Sequence, residues 1–412
     1  MRLLVHLDQA FRRDAEGTLT TAQPFVRFVA ELTRHVDAVT VAGRLDPAPG
    51  RAEHVVPAEI GFVALPHYAS AARPGAVAGA LAGSCRAFSR ALADADAVWL
   101  IGPNPLSLPF AALALARGCA VALGVRQDLP RYARHRHPGR RAPILAAELL
   151  DGAFRLLARH VPAVVVGPEL ARRYRRAPEL LQLWVSLMRA ADVGEPSTPR
   201  VPREVLSVGR IDTEKNPLLL ADVLARLDPD WRLVAYGDGP LRGALAQRLQ
   251  QLGVTDRARL PGHVALDDGL LDAYRRAGAV LHVSWTEGLP QVLLEAFAAG
   301  APVVATDVGG VRAAVGDAAL LVAPGDAEAA ATALQRLDGD PQLRARLVEA
   351  GLRLAREHSL ETEAGALAAA LQRWASGRPT APSVRRRRRG PATTSASSRQ
   401  AMRGRRIASD AS

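Results

Sequence analysis

Residues 284–310 read SWTEGLPQVLLEAFAAGAPVVATDVGG, and this stretch decides the fold. The apolar residues 279–283 before it predict a short buried strand, because turn signals bound them. Pro290 marks the start of a helix, since the N–H that proline lacks has no partner in the first helical turn. Gly300 ends that helix, and the next strand begins at Val303. The stretch therefore predicts a strand-loop-helix-strand unit whose helix N-terminus is open to an anion.

Two carboxylates flank the start of this helix. Glu287 lies in the loop and Glu295 lies in the helix, eight positions later. Acids with this spacing can bind hydroxyl groups on both sides of a bound phosphate, and a solvated helix glutamate is the alternative for Glu295. The turn at Gly288 favours the first interpretation. Apolar residues at helical spacing predict the face that packs in the core: Leu289, Val292, Leu293, Ala296 and Phe297.

Strand and helix patterns alternate through the first half of the chain. They predict a strand at residues 3–7, a polar loop at 8–22 and a helix at 24–34. Further strands are expected at residues 36–42, 97–101, 119–125 and 161–166, with helices at 76–92 and 108–116 and a helical stretch that runs out near 193. Such alternation predicts a parallel sheet covered by helices on both faces.

A second alternating series follows a proline-rich segment. Residues 194–203, GEPSTPRVPR, contain three prolines and no periodicity, which predicts a linker. The series begins at residue 204 and ends in helices near residues 326–337, 341–358 and 360–374. The chain is therefore expected to be an α/β protein in which two doubly wound, Rossmann-like domains, residues 1–193 and 204–358, face each other across a cleft. Ligands of such sheets bind at the carboxyl ends of the strands.

Charge is concentrated at the C-terminal end. The 412-residue chain has a net charge of +12, and residues 376–412 hold ten arginines against one aspartate. The preceding residues are thus nearly balanced. Because the rest of this tail is Ser, Thr, Pro and Ala, it is expected to be disordered and to bind anionic membrane or nucleic acid without specificity. It contains no aromatic residue to stack on bases, so no specific nucleic-acid partner is expected.

The two cysteines and the apolar segments bear on location. Cys85 and Cys119 have neither metal-ligand spacing nor a disulfide framework, which favours a reducing cytosol. The first residues lack the pattern of a signal peptide. Residues 100–125 are apolar but are interrupted by three prolines and Arg117, so no transmembrane helix is expected. A cytoplasmic protein is predicted, which could also bind peripherally to the inner face of the membrane.

Two basic residues follow the first strand of the second series. Residues 209–217, GRIDTEKNP, form a turn into a helix and contain Arg210 and Lys215. Lys215 is the only lysine in the chain, among 53 basic residues that are otherwise arginine. A compact ammonium group at this position indicates a site that needs a point charge. The alternative is a chance lysine on a solvated helix start.

From about residue 205 to 358 the chain resembles the retaining GT-B glycosyltransferases of the glycogen synthase and bacterial mannosyltransferase type, glycosyltransferase family 4, group 1. The EGLP, LLEA and PVVAT segments and the spacing of Glu287 and Glu295 carry the resemblance. It implies transfer of a sugar, with retention, from a UDP- or GDP-linked nucleoside diphosphate sugar to a lipid, polysaccharide or small-molecule acceptor. It implies no separate cofactor, and it implies that a last helix at residues 359–375 returns to the N-terminal domain.

The resemblance also implies roles for individual residues. Arg210 and Lys215 would bind the diphosphate and stabilise the leaving group. Glu287 would contact hydroxyls of the donor sugar, and Glu295 the ribose. The other implied donor contacts are Gly237, His263, Val264, Gly288, Leu289, Pro290, Gly309 and Gly310. A plain tight turn is the alternative for Gly237, and an ordinary loop histidine is the alternative for His263.

The acceptor side of the cleft departs from the family pattern. Relatives often have a Gly-Gly pair after the first strand, whereas this chain has only Gly17 there. Relatives also often have a histidine after the strand at residues 97–101. This chain has Gly-Pro-Asn at that position, ending at Asn104. Arg126 and Asp128 follow the predicted strand at 119–125 and are expected to face the cleft. Arg126 could meet a phosphate or an acidic acceptor, and Asp128 could orient a hydroxyl. A surface ion pair is the alternative.

A basic patch lies just beyond. Its members are Arg131, Arg134, His135, Arg136, His137, Arg140 and Arg141, with Tyr132 among them. The patch predicts a surface for anionic lipid heads or an acidic acceptor, and a solvated helix face is the alternative.

No sequence pattern predicts a metal site. The three Asp-x-Asp triplets start at Asp94, Asp228 and Asp338; the first two precede predicted strands and the third joins two helices. A metal-dependent transferase would need such a triplet at the carboxyl end of a strand, and no His/Cys cluster has metal-ligand spacing. A metal-independent enzyme is therefore expected.

Two other classes of protein stay open. One is a non-catalytic protein of the same fold that binds a nucleotide sugar or a glycan, which the unusual N-terminal loop permits. The other is a nucleic-acid binder that acts through the arginine-rich tail. Product formation separates the first from an enzyme, and deletion of residues 376–412 tests the second.

Overall fold

Two β-sheets form the framework of the chain. The computed structural model describes residues 1–68, 74–137, 139–194 and 199–377. The predicted arginine-rich tail lies outside the described residues from 378 onward, and residues 195–198 of the predicted linker also lie outside them.

The first sheet uses the N-terminal half of the chain. Within the described residues its nine strands are β1 Arg2–Arg13, β2 Leu19–Thr21, β3 Ala38–Leu45, β4 His54–Val55, β5 Gly61–Leu65, β6 Ala97–Gly102, β7 Ala120–Val125, β8 Ala163–Val166 and β9 Leu180–Leu183. Seven run parallel in the order β5-β3-β1-β6-β7-β8-β9. The antiparallel strands β2 and β4 extend from the end of β1. Strands β6, β7 and β8 are buried almost throughout, as parallel strands covered on both faces should be.

Helices cover both faces of this sheet. They are α1 Val26–Glu31, α2 Pro74–Ala91, α3 Ser107–Ala116, α4 Leu129–Arg136, α5 Arg141–Leu157 and α6 Pro168–Arg173. The helix expected at residues 24–34 packs against the sheet through four buried side chains, Phe25, Phe28, Val29 and Leu32. Phe88, Phe110 and Phe154 fill the opposite face of the sheet.

The second sheet contains six parallel strands within the described residues. They are β10 Val201–Val208, β11 Arg232–Tyr236, β12 Ala258–Gly262, β13 Ala277–His282, β14 Val303–Thr306 and β15 Ala319–Val322, in the order β12-β11-β10-β13-β14-β15. The helices that follow them are α7 Leu218–Leu224, α8 Arg242–Gln251, α9 Leu270–Arg276, α10 Gln291–Ala298, α11 Val311–Val315, α12 Ala327–Gly339 and α13 Pro341–Glu357.

The last helix, α14 Leu360–Ser376, crosses back to the first sheet. Its buried residues Leu360, Ala364 and Leu367 share a core with the residues of α1 and β1. His358 stacks on Trp184 at this crossing, with ring centroids 3.8 Å apart. Glu363 joins this contact by accepting a hydrogen bond from the backbone N–H of Trp184 (2.9 Å).

The structure confirms the predicted α/β class with two parallel sheets. The strand-loop-helix-strand unit is present as β13, α10 and β14, and Gly300 ends the helix with a φ of 64°. Residues 100–125 fold as the end of β6, α3 and β7. No helix among the described residues is both long enough and apolar enough to cross a membrane.

Three sequence expectations were wrong in part. The loop predicted at residues 8–22 is largely strand, because β1 continues to Arg13 and pairs with β2. The helical stretch predicted up to residue 193 ends as α6 at Arg173 and gives way to β9. The linker predicted at residues 194–203 ends earlier, because β10 begins at Val201 and Arg200 already donates to five carbonyl groups of the second half.

The predicted core face of α10 needs a further correction. Leu293, Ala296 and Phe297 are buried. Leu289 and Val292 are only partly buried and line the cavity between the two sheets. Helical periodicity identifies an apolar stripe but does not show whether a core or a cleft lies against it.

Candidate active site

A cavity of about 1040 Å³ lies where the carboxyl ends of the two sheets meet. The first half of the chain contributes residues 7–10 of β1 and the ends of β6 and β7, and the second half contributes the ends of β10 and β13 and the start of α10. Charged side chains line both walls: Asp8, Arg44, Arg126, Asp128, Arg131, Glu169, Arg210, Glu214, Lys215 and Glu287. The location agrees with the rule that parallel sheets bind ligands at the carboxyl ends of their strands.

Glu287 is the centre of the second wall. Its Oε1 atom lies 2.5 Å from Lys215 Nζ, 2.7 Å from Ser284 Oγ and 2.9 Å from His282 Nε2. The side chain is 8% exposed. His282 was not singled out from the sequence, although its place as the last residue of β13 was a usable signal. Three donors from two strand-end loops thus converge on one carboxylate oxygen.

The charge of Glu287 follows from these contacts. Burial by itself would raise the pKa of Glu287, but the hydrogen bonds and charges of His282 and Lys215 outweigh burial and lower the pKa to about 2. The carboxylate is therefore ionised at neutral pH. It can accept hydrogen bonds from a ligand, and it cannot serve as a proton donor.

Glycine and threonine fix the loop that carries Glu287. Thr306 Oγ1 accepts from the Ser284 backbone N–H and donates to the Ser284 carbonyl, each at 3.0 Å. A Cβ on Gly309 would lie 1.9 Å from the Glu287 carbonyl oxygen, and one on Gly310 would lie 2.5 Å from that of Gly288. Only glycine permits this approach. Gly309 and Gly310 thus support the loop from behind.

Arg210 and Lys215 lie on the neighbouring loop, after β10. Arg210 Nη1 lies 2.7 Å from Asp212 Oδ2, and its Nη2 pairs with Glu214. Its side chain is 56% exposed and lines the cavity together with Lys215. The Trp285 N–H donates to the Glu214 carbonyl (2.9 Å), so this loop and the Glu287 loop are joined.

Glu295 lies on α10 away from that cavity. Its Oε2 accepts from Tyr274 Oη at 2.9 Å. Burial raises the pKa of Glu295, while the Tyr274 hydrogen bond and the charge of Arg27 act in the opposite direction. Arg27 belongs to α1 in the first half of the chain and pairs with Asp267 at 2.6 Å. It lines a second cavity of about 270 Å³.

The predicted residues around β11 and β12 lie outside the main cavity. A Cβ on Gly237 would lie 1.9 Å from the Gly209 carbonyl oxygen, so glycine is needed for the packing of these strand ends. His263 is 63% exposed, and its Nε2 lies 3.1 Å from Glu53 Oε1. Val264 is partly buried. The sheet therefore brings these residues to the same edge without placing them in the cavity wall.

The first wall contains a polar cluster that the sequence did not reveal. Asp8 accepts from Tyr68 Oη (2.6 Å) and from the Asn104 amide, and it lies 2.7 Å from Arg44 Nε. Asn104 Oδ1 also accepts from the Leu106 N–H at 2.8 Å. Burial, together with the charge of Asp8, raises the pKa of Tyr68. The position of Asp8 after the apolar start of β1 was the available signal.

Arg126 differs from the other cations of the cavity. Its guanidinium lies over the Phe25 ring, 3.9 Å from the centroid, and it makes no ion pair with a described residue. The side chain is open to the cavity. Partial loss of solvent between the cleft walls lowers the pKa of Arg126 to about 10, so the guanidinium stays charged at neutral pH. Asp128 instead caps α4 by accepting from the Arg131 N–H (3.0 Å), and it lies 3.4 Å from Arg173.

The Asp-x-Asp triplets have structural partners. Arg203 pairs with Asp230 and, at 2.8 Å, with Asp338. Asp340 caps α13 by accepting from the Leu343 N–H at 2.9 Å. Among the described residues no group of three or more His, Cys, Asp or Glu side chains could hold a metal ion.

The predicted basic patch divides into paired and unpaired residues. Arg131 lies 3.1 Å from Glu169, and Arg134 pairs with Glu148. Arg136, Arg140 and Arg141 are exposed and have no acidic partner within the described residues. The side chain of His135 lies outside the described part of the chain.

Comparisons with known sequences agree with this geometry. Residues 191–353 match the family described as Glycosyl transferases group 1. The chain is 31% identical over 375 residues to a D-inositol 3-phosphate glycosyltransferase of Streptomyces bingchenggensis, which covers 82% of this chain and 74% of that protein. Other curated relatives match over shorter stretches, and the chain spans between 12% and 47% of their length.

Solved structures define the fold class. Sucrose-phosphate synthase from Thermosynechococcus elongatus matches with a TM-score of 0.68 at 19% identity, covering 90% of this chain and 98% of that chain. Anabaena HepE in complex with UDP-glucose matches with a TM-score of 0.65 at 16% identity, covering 90% and 99%. The protein is therefore an α/β protein of the GT-B fold. The chain belongs to the glycosyl transferases group 1 family, which confirms the resemblance seen in the sequence.

The lowered pKa of Glu287 predicts a pH-dependent contribution to stability. At pH values above about 4.5, the pKa of Glu287 in the unfolded chain, the ionised carboxylate stabilises the folded state. This contribution is lost as the pH falls towards about 2, the pKa of Glu287 in the folded state. Over that interval we expect the wild type to lose roughly 3 kcal/mol of unfolding free energy that the Glu287→Gln variant does not lose. Urea unfolding at several pH values measures the difference.

The exposed Glu357 supplies the control for this experiment. The Glu357→Gln variant should follow the wild type at every pH. Parallel stability curves for the wild type and Glu287→Gln between pH 4.5 and 2 would contradict the assignment of an ionised, paired Glu287.

Proposed function

We propose that this protein transfers a sugar from a nucleoside diphosphate sugar to an acceptor, with retention at the anomeric carbon and without a metal ion. One observation carries the proposal. The Nζ atom of Lys215, the single lysine of the chain, lies 2.5 Å from Oε1 of the ionised Glu287, in the loop before the N-terminus of α10. The positive and negative groups that a diphosphate and a sugar need are thus side by side in the cavity.

The diphosphate binds between the strand-end loop of Arg210 and Lys215 and the N-terminus of α10. Both cations pair with carboxylates of the protein, and phosphate oxygens replace those partners when the diphosphate binds. The positive end of the helix dipole adds to the attraction. These groups neutralise the charge that develops on the leaving group, which is the role that a metal ion has in other transferases.

Glu287 then binds the donor sugar. Once Lys215 turns to the phosphate, the carboxylate keeps His282 and Ser284 as donors and gains capacity to accept from sugar hydroxyls. Gly288, Leu289 and Pro290 complete this wall, and Gly309 and Gly310 hold the loop in place. Because a carboxylate with a pKa of about 2 is a poor base, the departing phosphate oxygen takes the proton of the acceptor hydroxyl instead. The hydroxyl then attacks the anomeric carbon on the face from which the phosphate leaves, which gives retention.

The nucleoside extends from the diphosphate towards the second cavity. Glu295 binds the ribose, and its buried carboxyl, ordered by Tyr274, would accept hydrogen bonds from ribose hydroxyls. Val264 and His263 lie on the side assigned to the base, with Gly237 between them and the diphosphate. The roles of these four residues are predictions from the family resemblance. A UDP or GDP donor is proposed on the same basis, and HepE, solved with UDP-glucose, supports the uridine choice.

The first wall of the cavity binds the acceptor. Arg126 provides a charge that no acid of the described residues neutralises, so we assign it to a phosphate or carboxylate of the acceptor. Asn104 and Asp8 supply hydrogen-bonding groups for hydroxyls, and Asp128 acts through α4, which it caps. A relative named for D-inositol 3-phosphate supports an acceptor with an anionic group. No cofactor besides the nucleotide sugar takes part, and the reaction takes place in the cytoplasm.

The alternative is a binding protein that holds a nucleotide sugar or glycan without transferring it. The carboxylate-bound state of Lys215 and Arg210 suits binding and transfer equally well. Formation of product separates the two functions, whereas nucleotide affinity does not.

The first prediction for the proposed reaction concerns its electrostatic groups. Incubation with UDP- or GDP-linked hexoses and an acceptor should yield a product that keeps the donor's anomeric configuration, read by proton NMR, and EDTA should leave the rate unchanged. Lys215→Met should lower kcat/KM at least about a hundredfold, because an oxyanion-stabilising charge is removed. The Arg346→Met variant, at an exposed position, is the control. An inverted product, or a rate abolished by EDTA, would contradict the mechanism.

The second prediction concerns Arg126. Arg126→Gln should raise KM for an acceptor that bears a phosphate or carboxylate by about tenfold or more, and leave KM for the donor unchanged, because a charge-assisted contact is lost only on the acceptor side. Each anionic acceptor is compared with its neutral parent, for example inositol 3-phosphate with inositol. An equal loss for both members of the pair would refute the assigned role.

A further inference from the structure

An exposed apolar stripe runs along α5. Leu145, Leu149 and Leu156 are 56%, 67% and 58% exposed. They are three of the eight large apolar side chains that are exposed among the described residues. At helical spacing the three leucines fall on one face of the helix, and the opposite face packs into the protein through Ala147, Asp151 and Phe154.

Basic side chains lie at both ends of this stripe, and the exposed acid beside it, Glu148, pairs with Arg134. Arg141 begins the helix and Arg159 follows its end, and both are exposed. Arg136 and Arg140 are exposed on the neighbouring α4 and the turn after it, where α4 packs against α5. None of these four arginines has an acidic partner within the described residues. We call the three leucines and these four arginines the α4–α5 surface.

We propose that the α4–α5 surface docks on an anionic lipid membrane, with the leucines inserted among the lipids and the arginines at the headgroups. An amphipathic helix with leucines on one face and a basic border has the composition of a helix that lies in the membrane interface. Each arginine near an anionic leaflet adds to the attraction.

The charge of the surface argues against other occupants. A second copy of this chain docked by the same face would bring the four arginines close to their own equivalents, and like charges in an interface oppose association. The chain's residues 378–412 hold ten arginines, so the tail has the same sign as the surface. An anionic partner complements the surface, and a flat lipid leaflet matches a single exposed helix face.

The position of the surface links it to the candidate active site. Arg131 and Tyr132 of α4 line the cavity on its acceptor side. Docking through α4 and α5 would thus bring the acceptor wall to the membrane, which suits a lipid-linked acceptor. This last step rests on the proposed function, whereas membrane binding itself does not.

Sedimentation with vesicles tests the inference. Vesicles of phosphatidylcholine alone and of phosphatidylcholine mixed with phosphatidylglycerol are spun with the full chain. The wild type should bind the anionic vesicles at least about tenfold more tightly than the neutral ones. The triple variant Leu145→Ser/Leu149→Ser/Leu156→Ser should bind the anionic vesicles at least about tenfold less tightly than the wild type. Arg140→Glu/Arg141→Glu should also weaken binding.

The controls separate the leucines from the tail and from misfolding. The tail is present in every variant, so a difference between the wild type and the triple variant reports the leucines. Leu81→Ser removes an exposed leucine from α2, 39% exposed, and should bind as the wild type does. Unchanged circular dichroism verifies the fold.

Three results would overturn the proposal: no vesicle binding by the wild type, equal binding by the triple variant, or a dimer in the absence of vesicles that the triple variant loses. The vesicle assay needs neither donor nor acceptor. Its failure is therefore distinct from a failure to find sugar transfer.

Discussion

The carboxylate of Glu287 is the point on which the rest of the site depends. A buried negative charge is stable only when donors surround it, and here Lys215, His282 and Ser284 converge from the ends of two adjacent strands. Their convergence fixes the loop before α10. The close approach of Gly309 to the Glu287 backbone holds the same loop from the other side. The start of α10 therefore faces the cavity as a consequence of one satisfied charge.

The two walls of the cavity differ in how their cations are paired. On the second wall Arg210 and Lys215 are each paired with a carboxylate, so a phosphate must compete with those partners. On the first wall Arg44 is paired with Asp8, but Arg126 rests on an aromatic ring and is free to meet an anion. This difference is the reason why we propose different ligands for the two walls, a donor diphosphate on the second and an anionic acceptor on the first.

Local sequence predicted the elements but not the contacts that form between distant residues. The unit from β13 to β14 was predictable because apolar runs, Pro290 and Gly300 lie in one stretch. The cluster of Asp8, Tyr68 and Asn104 was not, because its members come from three separate parts of the chain. Leu289 and Val292 were assigned to the core because periodicity does not distinguish a core from a cleft. The hairpin of β1 and β2 was missed because β2 has only three residues, too few for an alternating pattern.

Calorimetric titration of UDP, GDP and ADP tests the central claim most directly, because it measures whether the Lys215 and Glu287 loops form a diphosphate site. We expect one of these nucleotides to bind the wild type and the Arg346→Met control alike. Binding to Lys215→Met should be at least about tenfold weaker, because this variant has no ammonium group to pair with the phosphate. Equal affinity of Lys215→Met and the wild type, or no binding of any nucleotide at millimolar concentration, would contradict the proposed diphosphate site.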